Sequence, residues 1–279
     1  MAYISDTEML DRFCCFEEYA QGPPKVVAVV AHPDDETLGL AGRLPSLPEI
    51  TIVHVTDGSP RNLDDARAAG FATREAYASA RRRELVAALS LAGIPAERTR
   101  EIGLVDQEAA HYLVELTWIL VSLFQDVQPD AVVTHPYEGG HPDHDATAFA
   151  VHSACRLLQQ RSVRAPVIIE MTSYHNAGGE MRVCEFLPHA SREARLLPLT
   201  EWQKTLKEQM IACFSSQKHI VRHFPVDREV FRLAPGYVFS QPPHKGTLFY
   251  EMFDWGMDGA RWRALVGTAE EELGLVINA

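Results

Sequence analysis

The run Val26–Ala31 (VVAVVA), wholly apolar and rich in β-branched residues, constrains this chain more than any other segment. It is too short for a buried helix and has no polar face, so it predicts a strand covered on both sides, as in a parallel sheet. Ile50–Thr56 (ITIVHVT), Ala131–Thr134 (AVVT) and Val167–Met171 (VIIEM) read as three more. Helical stretches lie between and around them, over Thr73–Ala92, Gln107–Asp126 and Asp143–Arg161. Gly93 suits the end of the first and Pro129 follows the second. Strands alternating with helices build right-handed βαβ units. The expected fold is therefore α/β, a Rossmann-like, mostly parallel sheet with helices on both faces and ligands at the carboxyl ends of its strands.

The pattern changes near residue 174. A polar, irregular stretch predicts a small-strand or irregular addition, Glu201–His219 reads as a helix, and the last 60 residues read as loops with a short strand or helix. No linker divides them off, so one domain over 1–279 is expected, with a motif-bearing core of about 25–172 and a C-terminal addition of about 173–279.

Charge and cysteine usage narrow the partners. The 279 residues carry 26 Lys+Arg against 38 Asp+Glu, a formal net charge of −12. That balance disfavours nucleic acid and anionic membranes, which attract positive fields. No run reaches the ~18 apolar residues a membrane span needs, and residues 1–25 lack a basic stretch followed by an apolar one. Five scattered cysteines without a C-x-x-C pair suggest reduced thiols, hence a cytoplasmic protein. Oligomeric state is not readable.

The chemistry sits at two predicted strand ends. AHPDDETLG (Ala31–Gly39) follows the first strand and presents His32, Asp34, Asp35 and Glu36. Helix capping accounts for one such carboxylate, not for three beside a histidine. An imidazole with a carboxylate three residues on can bind a divalent metal and leave the neighbouring carboxylate free. THPYEGGHPDHDATAF (Thr134–Phe149) follows the third strand and holds His135, His141, Asp143, His144 and Asp145. Adjacent parallel strands would bring both clusters to one metal site.

A-H-P-D-D-E-x-x-G followed by a distant H-P-D-H resembles the PIG-L/LmbE family of zinc-dependent de-N-acetylases, over the first 160 or so residues. The resemblance implies a Rossmann-like sheet with one Zn²⁺, held by His32, Asp35 and His144. It implies Asp34 as general base and His141 as the group that stabilises the oxyanion and protonates the leaving amine. Such a His₂Asp set also accepts Fe²⁺ or Co²⁺. Asp143 is expected either to orient the ligands or to cap the following helix. Asp57, in the Thr56-Asp57-Gly58 turn after the second strand, is either a substrate contact or simple turn chemistry. Arg81 falls on the apolar stripe of its helix and matches the family's R-x-x-E with Glu84. It is expected to hold a substrate, such as an anionic sugar, or a carboxylate partner.

Two departures from the family stand out. Glu138-Gly139-Gly140 replaces a Tyr of some members, with Tyr137 the nearest substitute, and Phe214-Ser215-Ser216-Gln217 lacks the histidine of a late His-x-x-Gln. Of the later histidines, His175 is best placed to contribute. The implied reaction is removal of acetyl from an N-acetylated amino sugar or glycoconjugate of GlcNAc type. A thiol-sugar conjugate or an N-acyl glycolipid is the alternative amide. A nucleotide-binding module is disfavoured because Val26–Leu44 has no G-x-G-x-x-G turn. A non-catalytic metal protein would need neither Asp34 nor His141.

Overall fold

The computed structural model describes residues 4–15 and 23–276. In chain order its elements are α1 (Asp6–Cys14), β1 (Val26–Val30), α2 (Asp35–Leu40), β2 (Thr51–Thr56), α3 (Asp64–Ala68), α4 (Arg74–Leu91), β3 (Thr99–Leu104), α5 (Leu113–Val127), β4 (Ala131–Thr134), α6 (Pro142–Gln160), β5 (Val167–Met171), β6 (Tyr174–Ala177), β7 (Glu180–Val183), β8 (Arg195–Pro198), α7 (Glu201–Ala212), α8 (Lys218–Val221), β9 (Arg228–Leu233) and α9 (Gly259–Glu272). Seven strands form one sheet in the order β3-β2-β1-β4-β5-β9-β8. The first five are parallel; β9 runs antiparallel to β5, and β8 antiparallel to β9. The sheet is the Rossmann-like arrangement expected from the strand pattern, and β6 and β7 form a separate hairpin.

Alternation along β1 builds two cores. Val27 and Val29 face α5, α6 and α9, where Leu120, Phe124, Phe149 and Trp262 pack. Ala28 and Val30 face α1, α2, α4 and α7, where Phe13, Leu40, Leu85 and Met210 pack. All five residues of β1 are buried, which is why that run carries no polar residue.

Local signals set the helix ends. Thr73 Oγ accepts the Ala76 N–H at the start of α4, and Thr200 with Gln203 forms a capping box on α7. The helix predicted over Glu201–His219 stops at Ala212, and a 3₁₀ turn at Ser215–Gln217 leads into α8. Glu84 of α4 causes the break: its carboxylate accepts from Ser215 Oγ, Ser216 N and Ser216 Oγ, at 2.6, 3.0 and 2.5 Å. Beyond it, the last 60 residues, expected as loops with a short strand or helix, supply both: β9, paired with β5 inside the main sheet, and the 14-residue α9.

Strand order reverses between β1 and its neighbours β2 and β4, and at such a point the connecting helices diverge and open a crevice. Among the described residues no helix is long and apolar enough to cross a membrane.

Candidate active site

The pairing of β1 with β4, Val26 beside Ala131 and Ala28 beside Val133, sets the two His/Asp segments against each other. His32 Nδ1 lies 3.2 Å from His144 Nε2, although the residues are 112 apart in sequence. Asp35 completes the group, with Oδ2 at 3.4 Å from His32 Nδ1 and Oδ1 at 3.4 Å from His144 Nε2. All three side chains are buried. His32, Asp35 and His144, the three residues expected to bind metal, thus converge on one point.

The far sides of both rings are engaged. His32 Nε2 faces Asp106 Oδ1 at 3.2 Å and Asp143 Oδ2 at 3.3 Å, while His144 Nδ1 faces Ser173 Oγ at 3.1 Å. These partners assign the N–H to the outer nitrogens and turn the inner lone pairs toward each other and toward Asp35. Two lone pairs and a carboxylate at this spacing suit a divalent cation, and N/O donors in this number suit zinc or its neighbours. His135 supports the arrangement: its ring stacks on His144 with centroids 4.0 Å apart, and its Nε2 accepts the Ala31 N–H at 3.0 Å.

Asp34 and His141 flank these donors. Asp34 precedes α2, yet its side chain makes no capping bond and instead accepts from Arg81 Nη2 at 2.8 Å. Arg81 also donates to the Gly58 carbonyl at 2.7 Å. Gly58 has φ of +65°, and a Cβ there would fall 2.5 Å from Arg81 Nη1, so only glycine admits the guanidinium so close. His141 is the N-cap of α6, and its Nδ1 accepts the Asp143 N–H at 3.1 Å. The Nε2 therefore carries the proton, and it lies 3.8 Å from Asp106 Oδ1. Asp143, in the first turn of α6, accepts from Gln107 N and Ala109 N at 2.7 and 3.0 Å, tying the segment after β3 to His32.

Burial and charge set the protonation of these groups. Burial pushes Asp34 up to about 6, against the opposing pull of Arg81. Burial alone would lower His32, but Asp106, Asp143 and Asp35 together hold it well above the ordinary histidine value. A metal ion taken up by this cluster would displace that proton. Burial likewise opposes ionisation of Asp35, but His144 and His135 keep it well below the usual carboxylate range. His141 is held well below the ordinary value, first by burial and then by the charge on His32. It is thus a neutral ring with its N–H at Nε2.

Other expected residues lie elsewhere. Asp57 accepts from Arg74 Nη1 at 2.5 Å and from Ser59 N at 3.0 Å, and does not line the cavity. Tyr137 is buried, bonded to Trp262 Nε1 and to the carbonyls of Phe239 and Gln241. His175 lies 3.4 Å from Glu138 and outside the cavity, whereas His219 and Gln217 line it. Asp106, for which the sequence suggested no role, faces His32, His141 and Arg81 together. Its position just past the carboxyl end of β3 was the available signal, hidden because β3 itself reads as polar.

The cavity over these groups measures about 350 Å³. His32, Asp34, Asp35, Asp106, His141 and His144 form its floor, and Tyr174, Phe224, Phe249, Phe253 and Trp255 form one wall. Trp255 packs on His141 with ring centroids 4.7 Å apart, and Tyr174 on His144 at 5.3 Å.

Comparison with known proteins points the same way. Residues 27–155 match the family described as PIG-L, GlcNAc-PI de-N-acetylase. A probable N-acetyl-alpha-D-glucosaminyl L-malate deacetylase 2 of Bacillus subtilis (strain 168) is 36% identical over 137 residues, covering 45% of this chain and 58% of that protein. A 1D-myo-inositol 2-acetamido-2-deoxy-alpha-D-glucopyranoside deacetylase of Mycobacterium sp. (strain KMS) is 30% identical over 158 residues, covering 49% of this chain and 51% of that one. The chain thus spans little more than half the length of either relative. In fold, the structure of a deacetylase triple mutant from the teicoplanin biosynthetic pathway superposes with a TM-score of 0.58, at 18% identity, over 77% of this chain and 99% of that one. Residues 27–155 are therefore similar to the PIG-L family, and they carry His32, Asp34, Asp35, Asp106, His141 and His144 of the cavity floor.

Proposed function

We propose that this chain is a metal-dependent hydrolase that removes the N-acetyl group from an N-acetylated amino sugar or glycoconjugate, with zinc as its ion. One observation carries the reading. His32 Nδ1 and His144 Nε2 face each other at 3.2 Å beside Asp35, and the same cavity is lined by the Arg81-held carboxylate of Asp34 and the Nε2–H imidazole of His141. A purely structural metal site would need neither of the last two. Fe²⁺ or Co²⁺ would suit the same donors.

When bound, such an ion supplies Lewis acidity toward the amide carbonyl and lowers the pKa of a bound water to about 7. The chain's own groups supply the rest. Asp34, near pH 6 in its affinity for a proton, accepts one from the attacking water. The Arg81 guanidinium holds the Asp34 carboxylate at a fixed angle and favours its charged form. His141 presents its Nε2–H to the developing oxyanion, a donor that need not be cationic to act. The C–N bond then breaks as the amine takes the Nε2 proton of His141, the proton that Asp34 took from the water restores the ring, and acetate is the second product. Asp143 and Asp106 keep the His32 ring in register, and Asp106 also faces His141.

The relatives named as deacetylases of N-acetylglucosaminyl compounds support the choice of substrate class. The interlocking of β8 and β9 with β5 supports a single folded domain, and five scattered cysteines without a C-x-x-C pair support a reducing, cytoplasmic setting. The test is acetate release from a panel of N-acetylated sugars by the zinc-loaded protein. Turnover that disappears on chelation and returns with zinc is expected; a panel without turnover overturns the proposal.

A further inference from the structure

Resting on that reading of the site, we infer that the substrate carries an uncharged apolar group, aryl or alkyl, as the aglycone of its N-acetylated sugar. Two features of the cavity point there. The first is its wall. Trp255 touches His141, the group on the leaving-amine side of the reaction, and Phe253 stacks on Trp255 with ring centroids 4.6 Å apart and planes 12° from parallel. Phe249 packs against both Phe253 and Tyr174, at 5.2 and 5.5 Å, and Phe224 and Ile220 continue the surface. Whatever hangs from the amine therefore meets continuous apolar surface. One aromatic platform is enough for the carbon face of a sugar ring; this wall extends beyond it to Phe253, which is 42% exposed at the cavity's outer edge. Burying an apolar aglycone there gains free energy in proportion to the area removed from water.

The second feature is charge. Asp34, Asp35, Asp65 and Asp106 all line the cavity, and Arg81 is the only lysine or arginine among the described lining residues. Its guanidinium is already engaged by Asp34 and by the carbonyl of Gly58. No lysine or arginine is left to pair with a phosphate or carboxylate next to the sugar, and removing such an anion from water without a partner is costly. Asp65, Gln107 and Gln217 suit neutral hydroxyls instead. The anionic sugar expected as one partner of Arg81 is thus disfavoured by the pairing of Arg81 with Asp34.

The experiment compares the methyl, phenyl and 1-phosphate derivatives of N-acetylglucosamine, and methyl N-butyrylglucosaminide, on the zinc-loaded enzyme. Release of primary amine gives kcat/KM, and calorimetric titration of the same glycosides gives Kd. The phenyl glycoside is expected to exceed the methyl one by about tenfold in kcat/KM, and the 1-phosphate to fall about tenfold below it. Phe253→Ala is expected to reduce the phenyl-to-methyl ratio severalfold; its exposed side chain makes loss of folding a small concern, checked by the melting temperature. Equal rates for phenyl and methyl, a preference for the phosphate, or a gain from butyryl in place of phenyl would each overturn the aglycone inference and leave the deacetylase reading standing. Absence of turnover combined with phenyl binding about tenfold tighter than methyl would do the reverse: the inference stands and the deacetylase reading falls.

Discussion

Two buried clusters of charge sit on opposite sides of β5, and they are built on opposite terms. On the antiparallel side, Arg232 donates to Glu170 at 2.7 Å, to Glu138 at 3.3 Å and to the Leu187 carbonyl at 2.9 Å, while its guanidinium lies 4.1 Å from the Phe186 ring centroid. On the opposite face of β9, Lys207 donates to the Leu38 carbonyl at 2.7 Å and to Glu229 at 3.3 Å. Each cation there is surrounded by acceptors from its own chain. At the ends of β1 and β4 the reverse holds: His32, Asp35 and His144 turn acceptors toward one another, and a proton on His32 is the only positive charge between them. Burial of charge alone therefore does not mark a functional site. Convergence of like donors, each braced from behind, does.

That contrast can be broken by mutation, and the largest effect belongs to the convergent cluster. His144→Ala is expected to bring metal content near zero and activity to background, read by elemental analysis beside acetate release. Asp34→Asn should keep its metal and lose about 10²–10⁴-fold in kcat; full activity in that variant would remove Asp34 as the base. Arg232→Met should do the opposite of both. It leaves two carboxylates buried without their partner, so stability is expected to fall by about 3–5 kcal/mol in urea denaturation while metal stoichiometry is unchanged.

A finer test uses pH. As the proposed base, Asp34 must be a carboxylate, so kcat/KM is expected to fall as pH drops through its pKa, which burial pushes up to about 6 and Arg81 opposes. Arg81→Ala removes the opposing charge, and the acidic limb of the profile should move upward by roughly one unit. The smallest effect is expected for Asp57→Asn. Its half-exposed pairing with Arg74 contributes under about 1 kcal/mol to stability, and KM should change little; a tenfold rise in KM would return Asp57 to the path of the substrate.

The same clusters explain which parts of the molecule could be read from sequence. β1, β2, β4 and β5 are covered by helices on both sides, and their apolar runs announce it. β3 is an edge strand reading TREIGL, half exposed throughout, and β9 reads REVFRL because Arg232 and Glu229 belong to the paired cluster. Neither has the composition of a covered strand. The break in the helix after Ala212 was equally hidden, since Glu84, which holds the next turn, lies 131 residues from Ser215. In the site, His32, Asp35 and His144 were legible because each lies in a motif segment that follows a recognisable strand. Asp106 follows the strand that was not recognised. A carboxylate partner was one of the two expectations for Arg81; that the carboxylate is Asp34 depends on the close approach of α4 to Gly58, which no spacing along the chain encodes.

One division of the cavity has a practical consequence for choosing substrates to assay. Its reactive floor lies entirely within residues 27–155, whereas its aromatic wall, from Tyr174 to Trp255, lies entirely outside them. On the function and aglycone preference proposed above, chemistry and acceptor choice are written in separate stretches of the chain. Proteins that align with this one only through the first stretch are guides to the bond being cut. A guide to the molecule that carries the bond would have to share the second stretch, so relatives are better ranked by what they place at positions 174–255 than by overall identity. Grafting that stretch onto another PIG-L/LmbE-like floor would be expected to transfer the preference without altering the reaction.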